Sequence, residues 1–233
     1  MQVLPFVDQG SLAETIFSGS PLTVDANAVA ASKSIASFLC PTDAGNGNGV
    51  LSGRANVGGF TAAGGTVISG IYGVTNYKMV AGNNWAWGSF PYTCATCTKS
   101  TSNNGLDAGN GINCRNGGNN RSMMTAHRDI TDGTTNTLAI GEALPGRCQH
   151  NWWWWFNGTT GTCAIPLNYY YLNTAILVSD WGNDYSFASQ HVGGGNFTMA
   201  DGGVKFVSEN IDLQLYRDLA SINGSESTGT LTE

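Results

Sequence analysis

With 233 residues, the chain can form one large or two small domains around a real hydrophobic core. Only 11% of it is charged, against a usual share of about 25%, and its 32 glycines with abundant Asn, Ser and Thr favour a loop-rich β protein over a helical one. A formal charge of −6 argues against a nucleic-acid partner, and no apolar run approaches the roughly 18 to 20 residues that cross a bilayer.

In chain order, the short apolar stretch Val3-Leu4-Pro5-Phe6-Val7 comes first, followed by Ser11-Leu-Ala-Glu14. That spacing reads as a capping box, with Ser11 the N-cap of a brief helix running to about Phe17. Asp25 can cap an alanine-rich helix over Ala26 to Ser32. Ile35 to Leu39 reads as a strand stopped by Cys40-Pro41-Thr42-Asp43. Thr66 to Tyr72 and Val74 to Val80 read as strands between turns. Asn103 to Asn120, rich in Asn and Gly, predicts a long surface loop pinned by Cys114, within an insertion over residues 99–121.

The second half is more regular. Asp132-Gly133-Thr134-Thr135-Asn136 predicts a turn in which Asp132 and Asn136 are Asx-turn residues. Thr137 to Gly141 then forms a strand ending at Glu142, whose carboxylate is placed to receive nearby backbone N–H groups. In Trp152-Trp153-Trp154-Trp155-Phe156, read as a strand, alternate rings point to opposite faces, so at most half share one core. Asn196 to Ala200 and Val204 to Ser208 flank Asp201-Gly202-Gly203, a β-hairpin signal. Phe197, Met199, Val204 and Phe206 are its expected inward rows. Asn210 or Asp212 caps a last helix that buries Ile211, Leu215, Leu219 and Ile222 and ends by Gly224; residues 225–233 read as a disordered tail.

Six cysteines, Cys40, Cys94, Cys97, Cys114, Cys148 and Cys163, fit up to three disulfides of undetermined connectivity. Free thiols, or a zinc site built on Cys94-Ala-Thr-Cys97, are the rival readings. No signal peptide is visible at the start, where Met1 leads directly into Gln-Val-Leu-Pro.

The residues also carry a family resemblance. His191, nine residues, then Asp201-Gly202 match the H-x(9)-DG signature of the prepilin-like DUF1559 proteins of planctomycetes. Leu4-Pro5-Phe6-Val7-Asp8-Gln9 resembles that family's "LLPYLEQ", Phe38-Leu39-Cys40-Pro41-Thr42-Asp43 its "FxCPSD", and Thr75-Asn76-Tyr77 its "TNY". Ile130 to Leu138 with Gly141-Glu142 is similar to "ITDGTSNTLxxGE", so Asp132, Gly133, Asn136, Glu142, His191, Asp201 and Gly202 are the motif residues. The ordered set spans most of the chain.

The resemblance implies an α+β head, mainly antiparallel and pilin-like, as one domain over residues 1–224 with the C-terminal helix packed on the sheet. Because the chain opens at the "LLPYLEQ" position, it also implies a soluble head separated from its apolar N-terminal helix, without membrane contact. A truncated form, a gene fragment or a helix on a separate chain would each account for that. The implied role is a non-catalytic extracellular or cell-surface subunit of a filament or type II secretion-like assembly, partnered by itself or by other pilin-like subunits.

Sharper readings compete at several positions. His191 reads as a structural residue closing the loop before the hairpin rather than as a catalytic group or metal ligand, since no nucleophile stands at a recognisable spacing. Asp201 reads as the hairpin turn residue. No cofactor is expected, with calcium an alternative, through the hard oxygen donors Asp180, Asn183, Asp184 and Asp201. Trp85, Trp87, Trp153 and Trp155 could instead form a platform for glycans or a small solute, the bland alternative being core filling.

Overall fold

The computed structural model describes residues 3–16, 25–52, 71–100, 102–114, 125–154 and 156–224. The architecture is α+β, with short helices and a mostly antiparallel five-stranded sheet, as expected. The strands are β1 (Val50–Ser52), β2 (Ile71–Gly73), β3 (Tyr77–Val80), β4 (Leu138–Glu142), β5 (Thr160–Gly161), β6 (Gly194–Met199) and β7 (Val204–Ser208). β1 and β2 form a separate antiparallel pair, and the main sheet runs β5-β3-β4-β6-β7 with only β3–β5 parallel. The helices are α1 (Gly10–Glu14), α2 (Asp25–Ala31), α3 (Tyr169–Leu172), α4 (Trp181–Asp184) and α5 (Leu213–Asp218). Among the described residues, no helix is long and apolar enough to cross a membrane.

The hairpin β6–β7 forms where Asp201-Gly202 predicts it. Asp201 Oδ1 accepts a 2.8 Å bond from Gly203 N–H, and Gly202 takes the positive φ of 90° that the turn requires. The register pairs Thr198 with Val204 and Asn196 with Phe206. Cross-strand partners share a face, so Val204 and Phe206 lie outward with Thr198 and Asn196. The inward rows are therefore Phe197, Met199 and Val207, which corrects the expectation for Val204 and Phe206.

Against that inner face packs α5. The Asp212 side chain caps it by accepting from Leu215 N–H at 2.9 Å, and Tyr216, Leu219 and Ala220 join Val80, Leu138, Phe187, Phe197 and Val207 in one core. The helix ends at Asp218, earlier than Gly224. Gly141 makes this packing close: a Cβ there would stand 2.3 Å from the Phe197 ring and 2.6 Å from Phe187.

Other local readings are revised. Ser11 is the second residue of α1, which starts at Gly10 after Gln9 without a side-chain cap; the predicted end at Phe17 lies outside the described residues. Ile35 to Leu39 is no strand: Ala36–Phe38 is a 3-10 turn, with Ile35 buried at its entrance. Of the first predicted middle strand, Thr66 to Tyr72, residues 66–70 lie outside the described residues and Ile71 and Tyr72 fall in β2; the second is shortened to Tyr77–Val80. Asp132 bonds across the fold, its Oδ2 accepting from Ser221 Oγ at 3.1 Å and Gly224 N–H at 2.7 Å.

The Asn/Gly-rich segment is a second correction. Its described part, residues 102–114, is substantially buried. Asn110 Oδ1 accepts from Asn83 N–H and Asn84 N–H, while its Nδ2 donates to Asn83 Oδ1 at 2.7 Å and Cys97 Sγ at 2.9 Å. Amide side chains thus supply the partners that irregular backbone lacks, which lets a loop go inside. Gly111 admits the close approach, since a Cβ there would meet Gly82 N at 2.3 Å.

The tryptophan run is irregular rather than a strand. Trp152, Trp153 and Trp154 all enter one core with Leu4, Ala31, Ile35 and Tyr72. Trp152 and Trp154 stack with ring centroids 5.9 Å apart, and Trp153 Nε1 donates to Lys33 O at 2.8 Å on its own side. Both sides of the run are covered, so the expectation that half would lie elsewhere fails. Trp155 lies outside the described residues.

Candidate functional site

Four of the motif segments converge at one end of the sheet. Asn76 is their junction: its Oδ1 accepts from Cys40 N–H at 3.0 Å, and its Nδ2 donates to Asp43 Oδ2 at 2.8 Å and Ala143 O at 2.9 Å. The backbone adds Asn76 N–H to Phe38 O and Ala143 N–H to Asn76 O. Asp43 also receives Gln190 Nε2 at 2.9 Å, which ties in the loop that carries His191. That loop is fixed further by His191 N–H to Ser189 Oγ at 3.1 Å and Ala188 N–H to Glu142 O.

The result is a cluster of Cys40, Glu142 and His191. Glu142 closes β4 and is buried; its Oε2 accepts from Asn196 N–H at 2.7 Å, as the sequence led us to expect of this carboxylate. Its Oε1 faces His191 Nε2 at 3.3 Å and Cys40 Sγ at 3.8 Å, and Cys40 Sγ lies 3.9 Å from His191 Nε2. Thr42 Oγ1 stands 3.0 Å from the same sulfur. Cys40 is buried, whereas the His191 side chain is about one-third exposed. The trio opens onto a cleft of about 340 Å³ lined by Tyr77, Ile140, Asn196 and Val204.

A second trio lies wholly inside the protein. Cys148 Sγ is 3.3 Å from Asp184 Oδ1, His150 Nδ1 is 3.7 Å from that oxygen, and Lys78 Nζ is 3.8 Å from the sulfur. The 3.7 Å separation is within ion-pair range but too long for a hydrogen bond. Lys78 also sits 4.8 Å over the Tyr185 ring. Burial, reinforced by the Asp184 charge, pushes the Cys148 thiol up to about 12.

The other sequence-singled residues fare differently. Only Cys94 and Cys97 are bridged; Cys40, Cys114, Cys148 and Cys163 are buried thiols, so the expectation of up to three disulfides reduces to one. The bridge also takes both sulfurs from the zinc reading. The calcium set does not assemble: Asp201 serves its own turn, Asp184 turns inward to Cys148, and Asp180 accepts from Asn183 Nδ2 at 2.9 Å. Trp85 and Trp153 are buried core residues and cannot offer a ring face to a sugar, while Trp87 remains part-exposed. Sequence reasoning missed Cys40 as a partner of His191, and Asn76 and Asp43 as its scaffold. The signal that could have found them is the motif order itself, since each lies in one of the recognised segments.

An α+β domain whose separated motif segments meet around a histidine defines the class of protein. The sequence profile described as "Protein of unknown function (DUF1559)" matches residues 1–214, and the chain belongs to that family. Searches of curated proteins and of solved structures gave no match.

Proposed function

We propose that this chain is a pilin-like structural subunit, displayed outside the cytoplasm, that acts by contact with copies of itself or related subunits and catalyses no reaction. The observation that carries the reading is the outer face of the main sheet. Val204 is 66% exposed, Phe206 51% and Ile140 38%, and the register Ile140–Thr198–Val204 makes them neighbours. Large apolar side chains gathered on one exposed face mark a contact surface more often than a solvated one. The Cys94–Cys97 bridge suits an oxidising compartment.

The test is made in cells that produce the protein naturally. Wild-type chain should appear in a high-mass, extracytoplasmic assembly released by shearing, and Val204→Lys with Phe206→Lys should shift it to monomer. A wild-type chain that stays monomeric and cytoplasmic would sink the proposal.

A second reading, glycan or solute binding, keeps one supporting feature. Trp87 and Trp181 lie with ring centroids 4.9 Å apart, and Trp181 is 37% exposed. Calorimetric titration with common polysaccharides decides it, and absence of heat in every case removes it.

A further inference from the structure

We infer that Cys40, Glu142 and His191 form a mononuclear site for a divalent first-row transition metal of the zinc or cobalt kind. Their donor atoms Sγ, Oε1 and Nε2 surround a common point, at mutual separations of 3.3, 3.8 and 3.9 Å. Tetrahedral bonds of about 2.0 Å to nitrogen and oxygen and about 2.3 Å to sulfur place ligand atoms roughly 3.3 to 3.6 Å apart. The trio is therefore already spaced as a coordination shell, needing only a few tenths of an ångström of closure by sulfur.

The same distances are poor for direct bonding. A histidine–carboxylate pair that satisfied itself would stand at about 2.7 to 2.9 Å, against 3.3 Å here. The two contacts to sulfur are at the far limit of a thiol hydrogen bond. Three donors held near one another without closing on one another are what a central cation requires.

The surroundings fit as well. Asn196 N–H occupies Glu142 Oε2 and leaves Oε1 as the inward donor, while Asn76 fixes the Cys40 backbone. Such supporting bonds orient ligands and raise affinity. The mixed sulfur, nitrogen and oxygen set suits a borderline metal rather than calcium. A fourth position faces the cleft, where water completes the shell, and the metal braces three segments that the sequence keeps far apart. The buried trio around Cys148 differs in one decisive respect: Lys78 already places a cation 3.8 Å from its sulfur.

Binding replaces the Cys40 S–H proton by the metal and releases that proton to solvent. The experiment strips the purified chain with a chelator and titrates it with cobalt(II), then with zinc(II) in competition. One equivalent of cobalt should produce a near-ultraviolet thiolate-to-metal charge-transfer band and the visible bands of a tetrahedral ion, and zinc should abolish both. Cys40→Ser should remove the charge-transfer band, and Cys148→Ser should leave it intact. His191→Ala, on a part-exposed side chain that the fold can spare, should weaken binding at least about 100-fold while circular dichroism stays native. Three results would overturn the site: no thiolate band in the wild type, a band that survives Cys40→Ser, or wild-type affinity in folded His191→Ala.

Discussion

Glu142 holds Asn196 and His191 with different oxygens: Oε2 takes the Asn196 N–H at 2.7 Å, and Oε1 faces His191 Nε2 at 3.3 Å. One carboxylate thus joins the end of β4, the start of β6 and the motif loop. Removing it strands a backbone donor, and leaving a part-buried donor unsatisfied costs roughly 1 to 3 kcal/mol. Glu142→Ala should show that loss in urea unfolding. Glu142→Gln should lose clearly less, because an amide oxygen can still accept from Asn196. Equal losses in the two variants would mean that the Asn196 bond contributes little and that charge matters more.

Asn76 is fully buried, with its donors on Asp43 Oδ2 and Ala143 O and its acceptor on Cys40 N–H. Asn76→Asp replaces those two donations with a carboxylate facing two acceptors, which is worse than simply removing the side chain. It should destabilise by about 3 kcal/mol or more and exceed Asn76→Ala. Adding Asp43→Asn restores a donor–acceptor match, so the double variant should recover part of the loss in thermal melts. No recovery would dismiss the hub.

How much of this was legible follows from chain separation. The β6–β7 hairpin and the cap on α5 arise from residues a few positions apart: Asp201-Gly202 announces the first, and the sequence narrows the cap to Asn210 or Asp212, of which Asp212 serves. The facing of Val204 and Phe206 did not follow, because it depends on the register across the turn. Pairing Val204 with Thr198 turns the whole row outward, where an alternation read from one strand alone cannot choose. The site was less legible still. Cys40 meets Glu142 across 102 positions and His191 across 151, and a cysteine in a chain with five others reads first as half of a disulfide. Likewise the Asn/Gly-rich segment reads as surface because nothing local shows that Asn110 will satisfy buried backbone at Asn83 and Asn84.

The interior should make the protein sensitive to alkali. Burial pushes the Cys163 thiol up to about 12, and burial with the Asp184 charge does the same at Cys148; Tyr170 and Tyr216 are driven well upward by the same burial. A group whose folded pKa is raised favours the fold while it stays protonated in both states. That advantage is lost as pH climbs from the ordinary thiol value near 9 toward 12. Each buried thiol contributes a slope of up to roughly 1.4 kcal/mol per pH unit in that window. Urea midpoints should therefore hold steady to about pH 8 and fall steeply above about pH 9. Cys163→Ala should flatten the fall, and a wild-type midpoint unchanged to about pH 11 would contradict the buried-thiol account.

Lys78 is the last buried charge with a consequence. It projects from β3 onto the inner face, fully buried, with Nζ 3.8 Å from Cys148 Sγ and 4.8 Å over the Tyr185 ring. Asp184 Oδ1 lies 3.3 Å from the same sulfur, and its Oδ2 has no hydrogen-bond partner among the described residues. The ammonium and the carboxylate share the Cys148 sulfur as a neighbour, and their charges are expected to compensate one another there. Breaking one member of a buried charge pair typically costs about 3 to 5 kcal/mol, whereas replacing both by neutral groups of similar volume costs far less. Lys78→Met and Asp184→Asn should each be severely destabilising, and the double variant should be more stable than either single one. Chemical denaturation of the four proteins gives the coupling directly. Additive losses would show that Lys78 and Asp184 do not compensate each other, and that the cation is held by Tyr185 and the packing around it.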